Sequence, residues 1–267
     1  MPGDFDDLYV RARAALLDAT DALAPHLDSI VLVGAQAIYL HTGDADLAVA
    51  EFTTDADFSV EPGQLSDTPL LGDLLDAHNF TPREHPGGWL SPDGIYVDIM
   101  VPEALAGRGR RSADLGVHGK RAARRALGLE GALVDRAPQT ISSLDPADRR
   151  SVTMNFAGTG ALMVAKLHKL WERTEHDDRV KAKDALDIVR ILRATSTPDL
   201  AQRLRELRLS QEAGVVAIDA IEHLDSLFGR RDGRGIALAI QATDRLVDPE
   251  ELAISTITLA NDLRSAL

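Results

Sequence analysis

Residues 29–43 read SIVLVGAQAIYLHTG, and the architecture follows from how this stretch divides. Ser29 to Val33 is a short continuous apolar run whose β-branched content suggests a buried strand. Gly34 interrupts it. Residues 35–42 then carry a helical pattern that stops at Gly43. A glycine between strand and helix lets the backbone come close to a ligand. The helix start behind it offers free N–H groups that suit a phosphate. A plain helix-entry turn is the alternative reading.

Outward from this stretch, an acidic loop from Asp44 to Glu51 leads to FTTDADFSV at 52–60. The pattern predicts a strand that projects Asp55 and Asp57 from one face, since strand side chains alternate with a period of two. Two like charges so close repel unless a cation lies between them. Their neighbours Phe52, Ala56, Phe58 and Val60 are apolar, so a divalent ion with oxygen ligands, Mg²⁺ or Mn²⁺, is the natural compensator. A solvated strand edge is the bland alternative. Asp98 interrupts a second apolar run, Ile95 to Val101. A buried carboxylate is costly unless paired or metal-bound. If the two strands are neighbours, three carboxylates converge, an arrangement able to hold two metals for in-line attack on a phosphoryl group.

The rest of the chain supplies the frame. Apolar residues from Phe5 to Leu23 recur at helical spacing, predicting a helix over 5–26. Residues 66–79 predict a helix entered through Ser66 or Asp67. Pro-Gly-Gly at 86–88 and Ser-Pro-Asp-Gly at 91–94 predict turns around a hairpin closed by the 95–101 strand. Residues 102–150 are rich in Gly, Arg and Pro, with room for a short helix or strand in GLEGALVDRAP. From about residue 158 the pattern is helical almost throughout. The expectation is an α+β protein: a mixed sheet with flanking helices over 1–150, then a helical bundle domain over 151–267.

Composition narrows the function. The 267 residues suffice for two domains, and aromatics make up only 4%. The absence of cysteine excludes disulfides, thiolate nucleophiles and cysteine-based zinc sites. No signal peptide is read at the start, and no apolar run nears the roughly 20 residues of a membrane span. A cytoplasmic protein without membrane contact is expected. A net charge of −13 argues against broad nucleic-acid binding but leaves room for one local basic patch. The histidines fall into no metal-ligand spacing. Neither a G-x-S-x-G elbow nor a Walker loop is present.

Val33-Gly34-Ala35, Thr53-Thr54-Asp55-Ala56-Asp57 and Val97-Asp98-Ile99 together resemble the nucleotidyltransferase superfamily related to DNA polymerase beta. In that family a Gly and a small residue precede an Asp-x-Asp, and a third Asp lies on a later strand. Two positions depart from the pattern. Ala35 stands where Gly or Ser is usual, and Glu51 where Arg or Lys is frequent. Further on, ALMVAKLHKLWER and KAKDALDIVRIL look like the C-terminal segment of the AbiEii/MenT-type toxin nucleotidyltransferases, which adds Lys166, Asp184 and Asp187.

The resemblance implies transfer of a nucleoside monophosphate from an NTP to an acceptor hydroxyl, an RNA such as tRNA, with an antitoxin as partner. It implies Asp55, Asp57 and Asp98 as metal ligands and catalytic residues. Lys166 and Asp184 complete the catalytic set. Gly34, Ala35, Thr53 and Lys166 are implied as nucleotide contacts. Read bottom-up, Lys166 could reach a triphosphate or snorkel from an interface. Asp184 and Asp187 could be a solvated helix face paired with Lys181 or Lys183 and Arg190. The stretch from Arg108 to Arg125, with Arg110, Arg111, Lys120, Arg121 and Arg124, could contact an RNA backbone or be a flexible basic loop. It has no interleaved aromatics, so base stacking is not indicated there. Nucleotidylation of a protein, a degenerate nucleotide-binding module and an antitoxin-like interaction protein are the competing readings.

Overall fold

The structure, a computed structural model, describes residues 7–43, 53–172, 178–244 and 246–267. The expected Asp44–Glu51 loop, Phe52 and the start of the first helix at Phe5 lie outside the described residues. The chain is α+β, with a mixed open sheet. It divides into two compact units, one built from residues 1–37, 51–126 and 136–157, the other from 38–50, 127–135 and 158–267. Among the described residues no helix is long and apolar enough to cross a membrane.

The first unit opens with α1 (Asp7–Ala22), followed by β1 (Ile30–Val33), the first turn of α2 (Gly34–Thr42) and β2 (Asp55–Val60). Next come α3 (Leu71–Ala77), β3 (Thr81–Pro82), β4 (Gly88–Leu90), β5 (Tyr96–Pro102) and β6 (Arg124–Ala126). The unit closes with β7 (Arg136–Ser142) and β8 (Ser151–Ala157). The sheet order is β3-β4-β5-β2-β1-β8-β7, with β6 also on β5. Strand β2 lies at its centre, antiparallel to β1 and parallel to β5. Alternation sends Ala56, Phe58, Val60, Val97, Ile99 and Val101 to one face, where all are buried. Helix α1 packs on this side, with Ala12 and Ala15 against Ile95.

Three sequence expectations shift here. The helix expected over 66–79 begins only at Leu71. Thr68 precedes Pro69, and the proline ring disfavours helical backbone at the residue before it. The 102–150 region contributes the three-residue β6 and the seven-residue β7, and β8 continues the sheet past the expected boundary at residue 150. The Pro-Gly-Gly turn matches a close approach. Gly87 has φ of 72° and passes so near β5 and β6 that an added Cβ would lie 2.2 Å from the Ile99 carbonyl oxygen.

The second unit is a helical assembly of α4 (Thr159–Glu172), α5 (Asp178–Ala194), α6 (Thr197–Leu209), α7 (Gly214–Phe228), α8 (Arg234–Ala242) and α9 (Pro249–Ser265). Three of its helix starts carry local caps. Asp135 accepts the Ala161 N–H at 3.0 Å at the head of α4. Ser196 caps α6, and Asp248 accepts the N–H groups of Glu250 and Glu251 ahead of Pro249 in α9. A hydroxyl or carboxylate oxygen there satisfies amides that have no partner inside the helix. His223 of α7 stacks on Trp171 of α4, ring centres 4.3 Å apart, and meets the buried His168 edge-on.

Candidate active site

The sheet unit gathers the first three carboxylates through register. In the β2–β5 pairing Asp57 is opposite Asp98, and Asp55 is opposite Tyr96. These four side chains therefore share the face opposite α1. The three carboxylates are partly exposed. On the other side of β2, Val33 is opposite Asp57, so β1 delivers Gly34 beside it. Gly34 has φ of 74°, and a Cβ added there would lie 2.1 Å from Oδ2 of Asp57. Only glycine allows that carboxylate to nestle against the start of α2.

This placement changes the expected role of Gly34. The negative charge beside the helix start is Asp57 itself, in the field that favours an anion. A phosphate brought there meets the Asp57 carboxylate first. Ala35 is buried and offers no polar contact. Thr53 is buried as well, and its hydroxyl donates to Oδ1 of Asp55 at 2.6 Å.

A buried network that sequence reading passed over fixes this strand. The Gln36 side-chain amide donates to the backbone oxygens of Asp55 (3.0 Å) and Ala12 (3.1 Å). Its oxygen accepts from Nε of Arg13 at 2.9 Å. Arg13 also donates to the Tyr9 hydroxyl and the Ser142 carbonyl. The available signal was a lone Gln in an apolar helix run and a lone Arg on an alanine-rich helix. Buried polar groups of that kind must find partners.

The basic stretch is tied down rather than loose. Arg124 donates to Oδ2 of Asp98 at 3.0 Å. Arg121 donates to the carbonyls of Arg83 and Glu84, and Arg125 to those of Gly107 and Gly109. Arg110, Arg111 and Lys120 are exposed, with Lys120 3.5 Å from Asp114. Among the described residues no group of three or more His, Asp or Glu side chains is arranged to hold a metal. Asp98 is engaged by Arg124, and Asp55 and Asp57 stand beside it on the same sheet face. That pair fits Mg²⁺, which is ordinarily bound by one or two carboxylates with water and substrate phosphates completing the shell.

The other expected residues form a distinct cluster in the helical unit. Nζ of Lys166 donates to Oδ1 of Asp184 and Oδ2 of Asp187, both at 2.7 Å. Lys166 is 5% exposed, Asp184 2% and Asp187 1%, so the solvated-face alternative does not hold. Lys169 approaches Asp184 at 3.2 Å from a more exposed position. Burial alone would lower the Lys166 pKa, but the two carboxylates outweigh it and hold it well above the usual lysine range. Arg190 is also buried, its guanidinium 5.4 Å from the Tyr39 ring centre. The side chain of Lys181 lies outside the described residues. Comparison of the chain with family models, curated proteins and solved structures gives no match.

Proposed function

We propose that the sheet unit carries a nucleotidyltransferase centre that moves a nucleoside monophosphate from an NTP to an acceptor hydroxyl. One observation carries this reading: Asp57 is in register with Asp98, with Asp55 next on the same half-exposed face and Gly34 against Asp57. Two carboxylates on one strand face make an oxygen-rich spot of the kind that Mg²⁺ takes. Asp55 and Asp57 would hold Mg²⁺, which when bound would supply positive charge to offset that of the phosphates.

The chain's own residues do the rest. Thr53 orients Asp55, and the Gln36–Arg13 network fixes its backbone. Asp98, which Arg124 orients, would accept the acceptor's hydroxyl proton. The exposed Arg110, Arg111 and Lys120 favour a polyanionic acceptor, an RNA such as tRNA, over a protein. The AbiEii/MenT-type resemblance adds a toxin-like role with an antitoxin partner. Lys166 enters this reading with its ammonium already held by two carboxylates, so its first role is to hold α4 to α5.

The test incubates the protein with each α-labelled NTP, Mg²⁺ and either total RNA or cell lysate. Label in RNA supports the proposal as stated, and label in protein moves the acceptor. If wild type transfers no label and binds no nucleotide, the proposal is wrong. The Arg124–Asp98 ion pair favours a second reading, a nucleotide-binding module without transfer. In that case binding persists and no label moves.

A further inference from the structure

The carboxylate face carries an aromatic that sequence reading did not associate with it. Tyr96 is the register partner of Asp55 and points to the same side as Asp57 and Asp98. It is 45% exposed, although it stands at the head of a strand whose next five residues are all wholly or partly buried. The Arg83 guanidinium lies over its ring, 3.8 Å from the centroid. Arg83 arrives from just beyond β3, and its chain passes close to Gly88, whose added Cβ would be 3.4 Å from Cβ of Arg83. Gly88 is opposite Asp98 in the β4–β5 pairing. Arg83 and Gly88 are thus neighbours on this face.

An exposed tyrosine under a flat guanidinium is a stacking platform, because aromatic faces and Arg planes both take a nucleobase regardless of its identity. From this geometry we propose that Tyr96 and Arg83 form a shelf for a nucleobase, placed beside the carboxylates so that the base is gripped while its phosphate or hydroxyl reaches Asp55, Asp57 and Asp98. The inference rests on the nucleotidyl-transfer reading and adds to it the group that recognises the base. The base that stacks belongs either to the NTP or to the unpaired end of an acceptor RNA.

Equilibrium binding with wild type, Tyr96→Ala and Tyr96→Trp separates these sources. The probes are the four NTPs with Mg²⁺, tripolyphosphate with Mg²⁺, and a short single-stranded RNA with either a normal or an abasic 3′ end. Stacking of one base predicts that Tyr96→Ala weakens the base-bearing probe about 10-fold or more. Tyr96→Trp keeps the affinity, and tripolyphosphate binds all three proteins alike. Loss confined to the NTPs assigns the shelf to the substrate base. Loss confined to RNA with an intact 3′ end assigns it to the acceptor. Equal affinities for Tyr96→Ala and wild type overturn the shelf while leaving the transfer centre standing. Equal weakening of tripolyphosphate and NTP also overturns it, since the ring then acts through structure. If wild type binds no probe, both proposals fall.

Discussion

The two units treat the same residue type in opposite ways. On β2, Asp55 and Asp57 stand two apart in an extended strand, half-exposed. On α5, Asp184 and Asp187 stand three apart on one helix face, buried, with an ammonium 2.7 Å from each. The helical cluster balances its charge within the protein. In the sheet unit Arg124 supplies a positive charge to Asp98, and the Thr53 hydroxyl donates to Asp55. A pair neutralised internally serves the fold, and a half-exposed pair can be reached from solvent. The contrast explains why identical letters in a sequence divide into scaffold and site.

The sharpest way to break the comparison is to remove the internal counter-charge. Lys166→Ala leaves two carboxylates buried without their ammonium, and about 3–5 kcal/mol of stability should disappear in a urea titration. A loss within 0.5 kcal/mol, roughly what a surface substitution costs, would show the cluster is not the keystone assigned to it. The sign with pH is fixed: a lysine held above its usual range keeps its contribution throughout neutral pH and yields it only in strong alkali.

Gly34→Ala comes next. The left-handed backbone alone costs a side chain about 1–2 kcal/mol. The added methyl also displaces the Asp57 carboxylate. Nucleotide binding measured calorimetrically should drop out while the helical unit stays folded. Unchanged binding would separate Gly34 from the site.

Asp57→Asn sharpens the contrast from the other side. Relieving the repulsion with Asp55 should leave the melting temperature of the metal-free protein unchanged or slightly raised, while transfer of label ceases. A marked fall in melting temperature would place Asp57 with Asp187 as a structural residue.

The smallest effect belongs to His223. Burial lowers its pKa from 6.5, the neighbouring His168 adds to the shift, and Asp219 opposes it. The folded protein thus takes up fewer protons than the unfolded chain, and stability falls as pH drops through 6.5 towards the folded value. Denaturation midpoints on the two sides of 6.5 should differ, and His223→Gln should flatten the difference.

Much of the sheet was legible because its central strands are apolar runs: Ile30–Val33 and Ile95–Val101 can be read directly. Strands β7 and β8 were not. In β7 only Ile141 is buried, and Pro138 is tolerated because β7 is an edge strand. Such a strand has no alternation to detect. The carboxylates of the site were readable as interruptions of apolar runs. Tyr96 and Arg83 were not, because they lie thirteen positions apart and only the register of β4 and β5 brings them together. The burial of Asp184 and Asp187 was equally hidden, since a helix repeat shows that two residues share a face but not what that face meets.

The interleaving of the chain between the two units bears on how the protein can be taken apart. Val31 pairs with Asn155, so the innermost part of the sheet waits for a strand made long after β1 leaves the ribosome. A fragment ending at residue 150 would lack β8. The fully buried Ile30–Val33 would then present a bare, apolar edge, the kind of edge that recruits other chains into aggregates. Neither unit is a contiguous piece that a single cut could release. Gene fragments, protease clips and two-plasmid complementation should therefore all place their breaks after Ala157, where the sheet is already closed on both sides of β1.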